Sequence, residues 1–142
     1  MGQPLGPSPP PGRRPPPTTE WGKFIAGFSY AFQGLGYAFR TQRNIRVHAT
    51  IAALATILGI VLHISAVEFA MVFIAIMSVF IAEMFNTVIE LSIDLSTPEY
   101  HPLAKIAKDV AAGAVLLSAI LAIIVGLFIF GPHLWILISR RF

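Results

Sequence analysis

The side chains able to do chemistry gather in one stretch, from Glu83 to Asp109. It holds Glu83, Asn86, Glu90, Asp94, Glu99, Tyr100, His101, Lys105, Lys108 and Asp109. At about 100° per helical residue, Glu83, Asn86, Glu90 and Asp94 fall within a sector of roughly 80°. Three carboxylates and an amide then form one stripe. Oxygen ligands at this density suit a hard cation such as Mg²⁺. Lysines beside them suit phosphate. Carboxylate, Mg²⁺ and lysine together are the components of phosphoryl transfer, where positioning and charge neutralisation do most of the catalysis. Glu83 directly follows the apolar run that ends at Ala82. A carboxylate at such a boundary is a candidate general base toward a lipid hydroxyl.

The stripe must be positioned by something that tolerates it. A charge near the bilayer centre costs roughly 2.5–3.5 kcal/mol on insertion scales. The stripe is therefore expected to turn toward protein, water or a bound cation. A plain solvated helix face just past the membrane edge is the simpler alternative. A non-catalytic one is an oligomeric channel or transporter subunit, with the stripe lining a cation path.

Composition identifies a membrane protein. Of 142 residues, 56% are hydrophobic and 12% charged, and the mean hydropathy is +0.75. Soluble domains carry about 25% charged residues. There is no cysteine, which excludes disulfides and thiolate chemistry. His48, His63, His101 and His133 show no i, i+3 or i, i+4 pairing, which argues against zinc. No GxxxxGK motif occurs, so no Walker-type site is available. No nucleic-acid partner is expected.

The fold expected is all-α and integral to the membrane. Residues 1–19 form a Pro-rich tail that cannot bury a core and is expected to be disordered. Residues 20–142 form the membrane domain. Residues 20–43 are aromatic and Gly-punctuated, with Lys23, Arg40 and Arg43 as cations. They read as an amphipathic surface helix, broken near Gly34-Leu-Gly36. Three spans follow, at about 47–67, 68–95 and 104–130, the second opening on a Ser65–Glu68 turn. Each has the ~20 residues a bilayer needs. Arg40, Arg43 and Arg46 place the entry to the first span in the cytoplasm. The N-terminus and the loop bearing Lys105 and Lys108 are then cytoplasmic, and the His63–Glu68 turn is outside. Arg140 and Arg141 work against an external C-terminus, but more cations lie before residue 109.

Three segments match a known family. AEMFNTVIE, then DLSTPEYHPLAKIAKDVAAGAVLLSA, and FxYAFxGLxYAFRTQRNIRVH upstream resemble the small integral-membrane lipid kinases, the prokaryotic diacylglycerol kinase and undecaprenol kinase family. The resemblance covers about Trp21 to Phe130. HPLAK with RTQRN looks more like the undecaprenol kinase branch. The resemblance implies ATP-dependent phosphorylation of a membrane lipid alcohol, undecaprenol or diacylglycerol. It implies a homotrimer with composite active sites, in the bacterial cytoplasmic (inner) membrane.

Residue roles carry over by position. Glu83 stands at the family's catalytic base and Asn86 at its polar partner. Glu90 matches one metal-binding glutamate. Glu99, Tyr100, His101, Lys108 and Asp109 match nucleotide-contacting positions, as does Tyr30, and Lys23 stands where some members have arginine. Asp94 is a supporting candidate. The second metal-binding glutamate aligns with Gln42, whose neutral amide contributes no charge to the cation. A pore has no need of Glu99-Tyr100-His101 and Lys108-Asp109 beside the stripe. That favours the kinase over the channel.

Overall fold

The computed structural model describes residues 19–96 and 99–139. Expectations placed on residues 1–18, on 97 and 98, and on Arg140 and Arg141 lie outside them. Four helices make up the fold: α1 (Glu20–Thr41), α2 (Arg43–Val61), α3 (Ala66–Ser96) and α4 (Pro102–Ser139). No strand occurs among the described residues. The helices α2, α3 and α4 are long and apolar enough to cross a membrane. The described residues divide into two compact units, one up to residue 37 and one from residue 38.

In the first unit, Thr19 caps α1, its Oγ1 accepting from the Gly22 N–H at 3.1 Å. Lys23 pairs with Glu20 one turn back, at 2.7 Å. Trp21, Phe24 and Phe28 stack edge to face along one side, with centroids 5.7 and 5.1 Å apart. The break expected at Gly34-Leu-Gly36 does not occur, and α1 runs unbroken to Thr41. A glycine inside a helix costs only about 1 kcal/mol. In an apolar or interfacial setting, the backbone bonds lost at a break cost more.

The second unit is built on α2, α3 and α4. The first span ends earlier than expected. α2 stops at Val61 in a Schellman motif: the Ile64 N–H donates to Gly59 O at 3.2 Å and the His63 N–H to Ile60 O at 3.1 Å. His63 occupies the left-handed position, at φ 52°. Ile64 and Phe69 then fold back onto Gly59. A Cβ there would lie 3.0 Å from the Ile64 Cδ1 and 3.1 Å from the Phe69 ring.

Ser65–Glu68 is not a turn but the capping box of α3. Ser65 Oγ accepts from the Glu68 N–H at 3.3 Å, and Glu68 Oε2 accepts from the Ser65 N–H at 2.7 Å. α4 begins at Pro102, whose fixed φ suits a first helical position. Its 38 residues and the 31 of α3 exceed both expected spans.

α3 and α4 run antiparallel. Near one end Glu68 faces His133 at 3.9 Å, and at the other Lys108 pairs with Asp94. Ile64, Val72 and Ile129 form a buried cluster toward the first of these ends.

Candidate active site

The acidic stripe lies on the last four turns of α3, and its burial falls step by step toward the helix end. Glu83 is 2% exposed, Asn86 and Thr87 are buried, Glu90 is half-buried and Asp94 is exposed. A hydrocarbon core of ~30 Å takes about 20 residues of helix. Counted from Ala66, that reaches Phe85. Glu83 sits at this boundary, and Glu90 and Asp94 lie beyond it. The simpler expectation, a uniformly solvated face, is not met, because half of the stripe is inside protein.

Within the stripe, Asn86 Nδ2 donates to Glu90 Oε1 at 2.9 Å. Thr87 Oγ donates to the Glu83 carbonyl at 2.9 Å. Two buried oxygens, Glu83 Oε1 and Asn86 Oδ1, accept no hydrogen bond from the described residues. Buried acceptors are rarely left without a donor, and each costs about 1–3 kcal/mol. Both side chains stand on one face of α3, within a turn of each other.

The group nearest Glu83 comes from α2. His48 Nε2 lies 3.4 Å from Glu83 Oε1. That is an ion-pair distance, longer than a formed N–H···O bond. Reading the histidines for zinc spacing missed this contact, which joins residues on two helices. The signal available was a lone ionisable residue in the apolar run after Val47.

Past the end of α3, a second group of residues surrounds one pocket of about 460 Å³. Its walls include Asp94, Glu99, Tyr100, His101, Lys108 and Asp109. Lys105 also borders the pocket, paired with Asp109, and Lys108 with Asp94. His101 Nδ1 accepts from the Leu103 N–H at 3.2 Å. That bond puts the ring proton on Nε2 and leaves a donor for a ligand.

The expected residues are thus distributed over four places. Glu83, Asn86 and Glu90 form the stripe, and Glu99 to Asp109 with Asp94 form the pocket. Lys23 and Tyr30 stand exposed on α1 in the first unit. Gln42 is the N-cap residue of α2, and its side chain makes no capping bond.

The residues fit a hard divalent cation. Glu90 has one oxygen held by Asn86, and Asn86 Oδ1 is an orphaned buried acceptor. Among the described residues no three His, Asp or Glu side chains cluster as a metal cage. Mg²⁺ needs none, because it commonly takes one or two protein carboxylates plus phosphate oxygens and water.

Residues 29–130 match the family model of the prokaryotic diacylglycerol kinases. The chain is 42% identical to the undecaprenol kinase of Bacillus subtilis (strain 168), over 81% of this chain and 94% of that protein. It is 46% identical to a diacylglycerol kinase of Synechocystis over 72% of this chain, which spans 59% of that protein. The diacylglycerol kinase of Escherichia coli (strain K12) is 29% identical, over 82% of this chain and 95% of its own length.

Proposed function

The chain belongs to the prokaryotic diacylglycerol kinase family and is a membrane lipid kinase, and on that premise we propose that it transfers the terminal phosphoryl group of ATP to the hydroxyl of undecaprenol or diacylglycerol. The observation that carries this reading is Glu83, a carboxylate only 2% exposed at the boundary of the apolar run and at the head of the acidic stripe. The lipid hydroxyl comes from the apolar side and the nucleotide from the pocket beyond Asp94. Asp94 lies eleven positions after Glu83 on α3, about 16 Å of rise. An extended nucleoside triphosphate is of that order in length.

Glu83 takes the hydroxyl proton as the lipid oxygen bonds to the terminal phosphorus. The bond from that phosphorus to the bridging oxygen breaks, and ADP leaves. Asn86 holds Glu90 in place. Glu90, with Gln42, would hold Mg²⁺, whose chemistry when bound is to neutralise charge on the phosphates. Lys108 and the Nε2–H of His101 offer donors to phosphate oxygens, while Glu99, Tyr100 and Asp109 hold the rest of the nucleotide. By the family resemblance alone, Lys23 and Tyr30 are assigned to nucleotide binding. The family resemblance supports a homotrimer in the bacterial inner membrane, with sites completed by neighbouring subunits at the cytoplasmic face.

The test is phosphorylation by purified protein of undecaprenol and diacylglycerol offered in parallel with ATP. Glu83→Gln should cut turnover by about 10²-fold or more while leaving ATP binding unchanged, the order expected for a lost general base. Near-normal turnover in that variant would remove Glu83 from the role.

A further inference from the structure

We infer that His48 is the positioning residue for Glu83, holding its carboxylate through Nε2–H so that the other oxygen faces the lipid hydroxyl. The inference rests on the reading of Glu83 as the base and extends it to a residue that reading does not use. Three observations carry it. First, His48 is the sole ionisable residue from Val47 to Leu62, an apolar stretch where a polar ring is costly without a partner. Second, its Nε2 is 3.4 Å from Glu83 Oε1, the buried oxygen to which no described donor is bonded. Third, its ring also lines a cavity of about 390 Å³ between α2, α3 and α4. The rest of that cavity is apolar, with Val72, Ala75, Val79, Phe80, Ile123 and Phe130 among its walls. His48 therefore touches both the apolar chamber and the buried carboxylate.

Other charges on the packed helices are engaged elsewhere or directed away. On α4, Lys105 pairs with Asp109 and Lys108 with Asp94, and His133 faces Glu68 at the far end. On α2, Arg46 donates to the Arg40 carbonyl at 3.2 Å, and Arg43 is exposed. On α3 itself, Glu90 is bonded to Asn86. Among the described residues, His48 is the titratable group within ion-pair range of Glu83. A contact of 3.4 Å is long for a formed bond, and catalytic hydrogen bonds commonly tighten only when substrate is bound. Imidazole suits the task, since Nε2–H donates to Oε1 while Oε2 remains to accept the hydroxyl proton.

The experiment compares His48→Phe, His48→Ala and His48→Gln with the wild type. Phe and Ala remove the donor, and Gln keeps an N–H near the position of Nε2. Each protein is assayed with ATP and lipid varied separately, after its size in detergent is shown to match the wild type. Ala carries the test if the larger ring of Phe prevents folding. Phe and Ala should lose about tenfold or more in kcat, with both KM values within twofold. Gln should recover kcat to within about threefold of wild type. The inference is overturned if Ala keeps wild-type kcat, if Gln loses as much as Ala, or if the effect falls on a KM instead. Glu83→Gln in the same assay separates the two ideas. If it stays active the base reading fails, whereas a dead Glu83→Gln beside a normal His48→Ala sinks only the role of His48.

Discussion

Lys108 on α4 donates to Asp94 on α3, 14 positions earlier in the chain, and the pair forms one wall of the pocket that also holds Glu99, Tyr100 and His101. The lysine proposed for nucleotide phosphate is thus already engaged by a carboxylate. Both side chains are partly solvated, so the pair contributes no more than about 1 kcal/mol. Phosphate can displace Asp94, but at a cost in apparent affinity.

Asp94→Asn should therefore lower the KM for ATP by up to about fivefold and leave kcat unchanged, the factor corresponding to about 1 kcal/mol. Initial-rate kinetics with ATP varied decide it. A rise in KM would instead make Asp94 a direct nucleotide or metal contact.

The metal pair is tested by charge. If Glu90 carries Mg²⁺ while Gln42 offers only a neutral oxygen, Gln42→Glu should lower the Mg²⁺ concentration for half-maximal rate. Glu90→Gln should raise it and reduce activity, since hard-cation binding tracks ligand charge. The two changes should be non-additive, because both groups would share one ion. Mn²⁺ binding followed by its paramagnetic signal gives a readout independent of turnover. Indifference to both substitutions would move the cation elsewhere on the stripe.

The end of α2 should be sensitive in a specific way. At φ 52° a β-branched side chain is strained, so His63→Val should cost about 1–2 kcal/mol, and His63→Gly should cost nothing. Gly59→Ala gains about 1 kcal/mol in helix propensity but crowds Ile64 and Phe69. Overpacking costs about 1–3 kcal/mol, so a net loss near 1 kcal/mol is expected. Thermal unfolding in detergent measures all three, and a stabilised Gly59→Ala would show that Ile64 gives way freely.

Orientation can be read with single cysteines, because the native chain has none. An impermeant thiol reagent added outside intact cells should label Ala66→Cys and spare Ser96→Cys. The reverse pattern would turn the protein over in the membrane.

Much of this architecture was legible because apolar runs and a helical-period stripe obey one spacing rule. Glu83, Asn86, Glu90 and Asp94 share a face whether or not the neighbours are known. The capping box at Ser65 was also written in the sequence, as Ser-x-x-Glu, but reads equally as a turn until the next helix is seen to start there. His48 and Glu83 were beyond reach by spacing, because their meeting depends on how α2 packs on α3. Gly34 and Gly36 misled in the other direction: glycine permits a break without requiring one.

The two ends of the α3–α4 hairpin carry one consequence more. Glu68 and Asp94 are 26 positions apart on α3, and their partners His133 and Lys108 are 25 apart on α4. Along an α-helix that is about 39 Å. Between them most contacts are apolar, and sliding one helix by a turn of 5.4 Å exchanges one greasy contact for another. Each polar contact alone is weak, but such a slide would break both at once. Together they act as a gauge block: polar contacts at opposite ends of the hairpin favour one height at which Glu83 is presented.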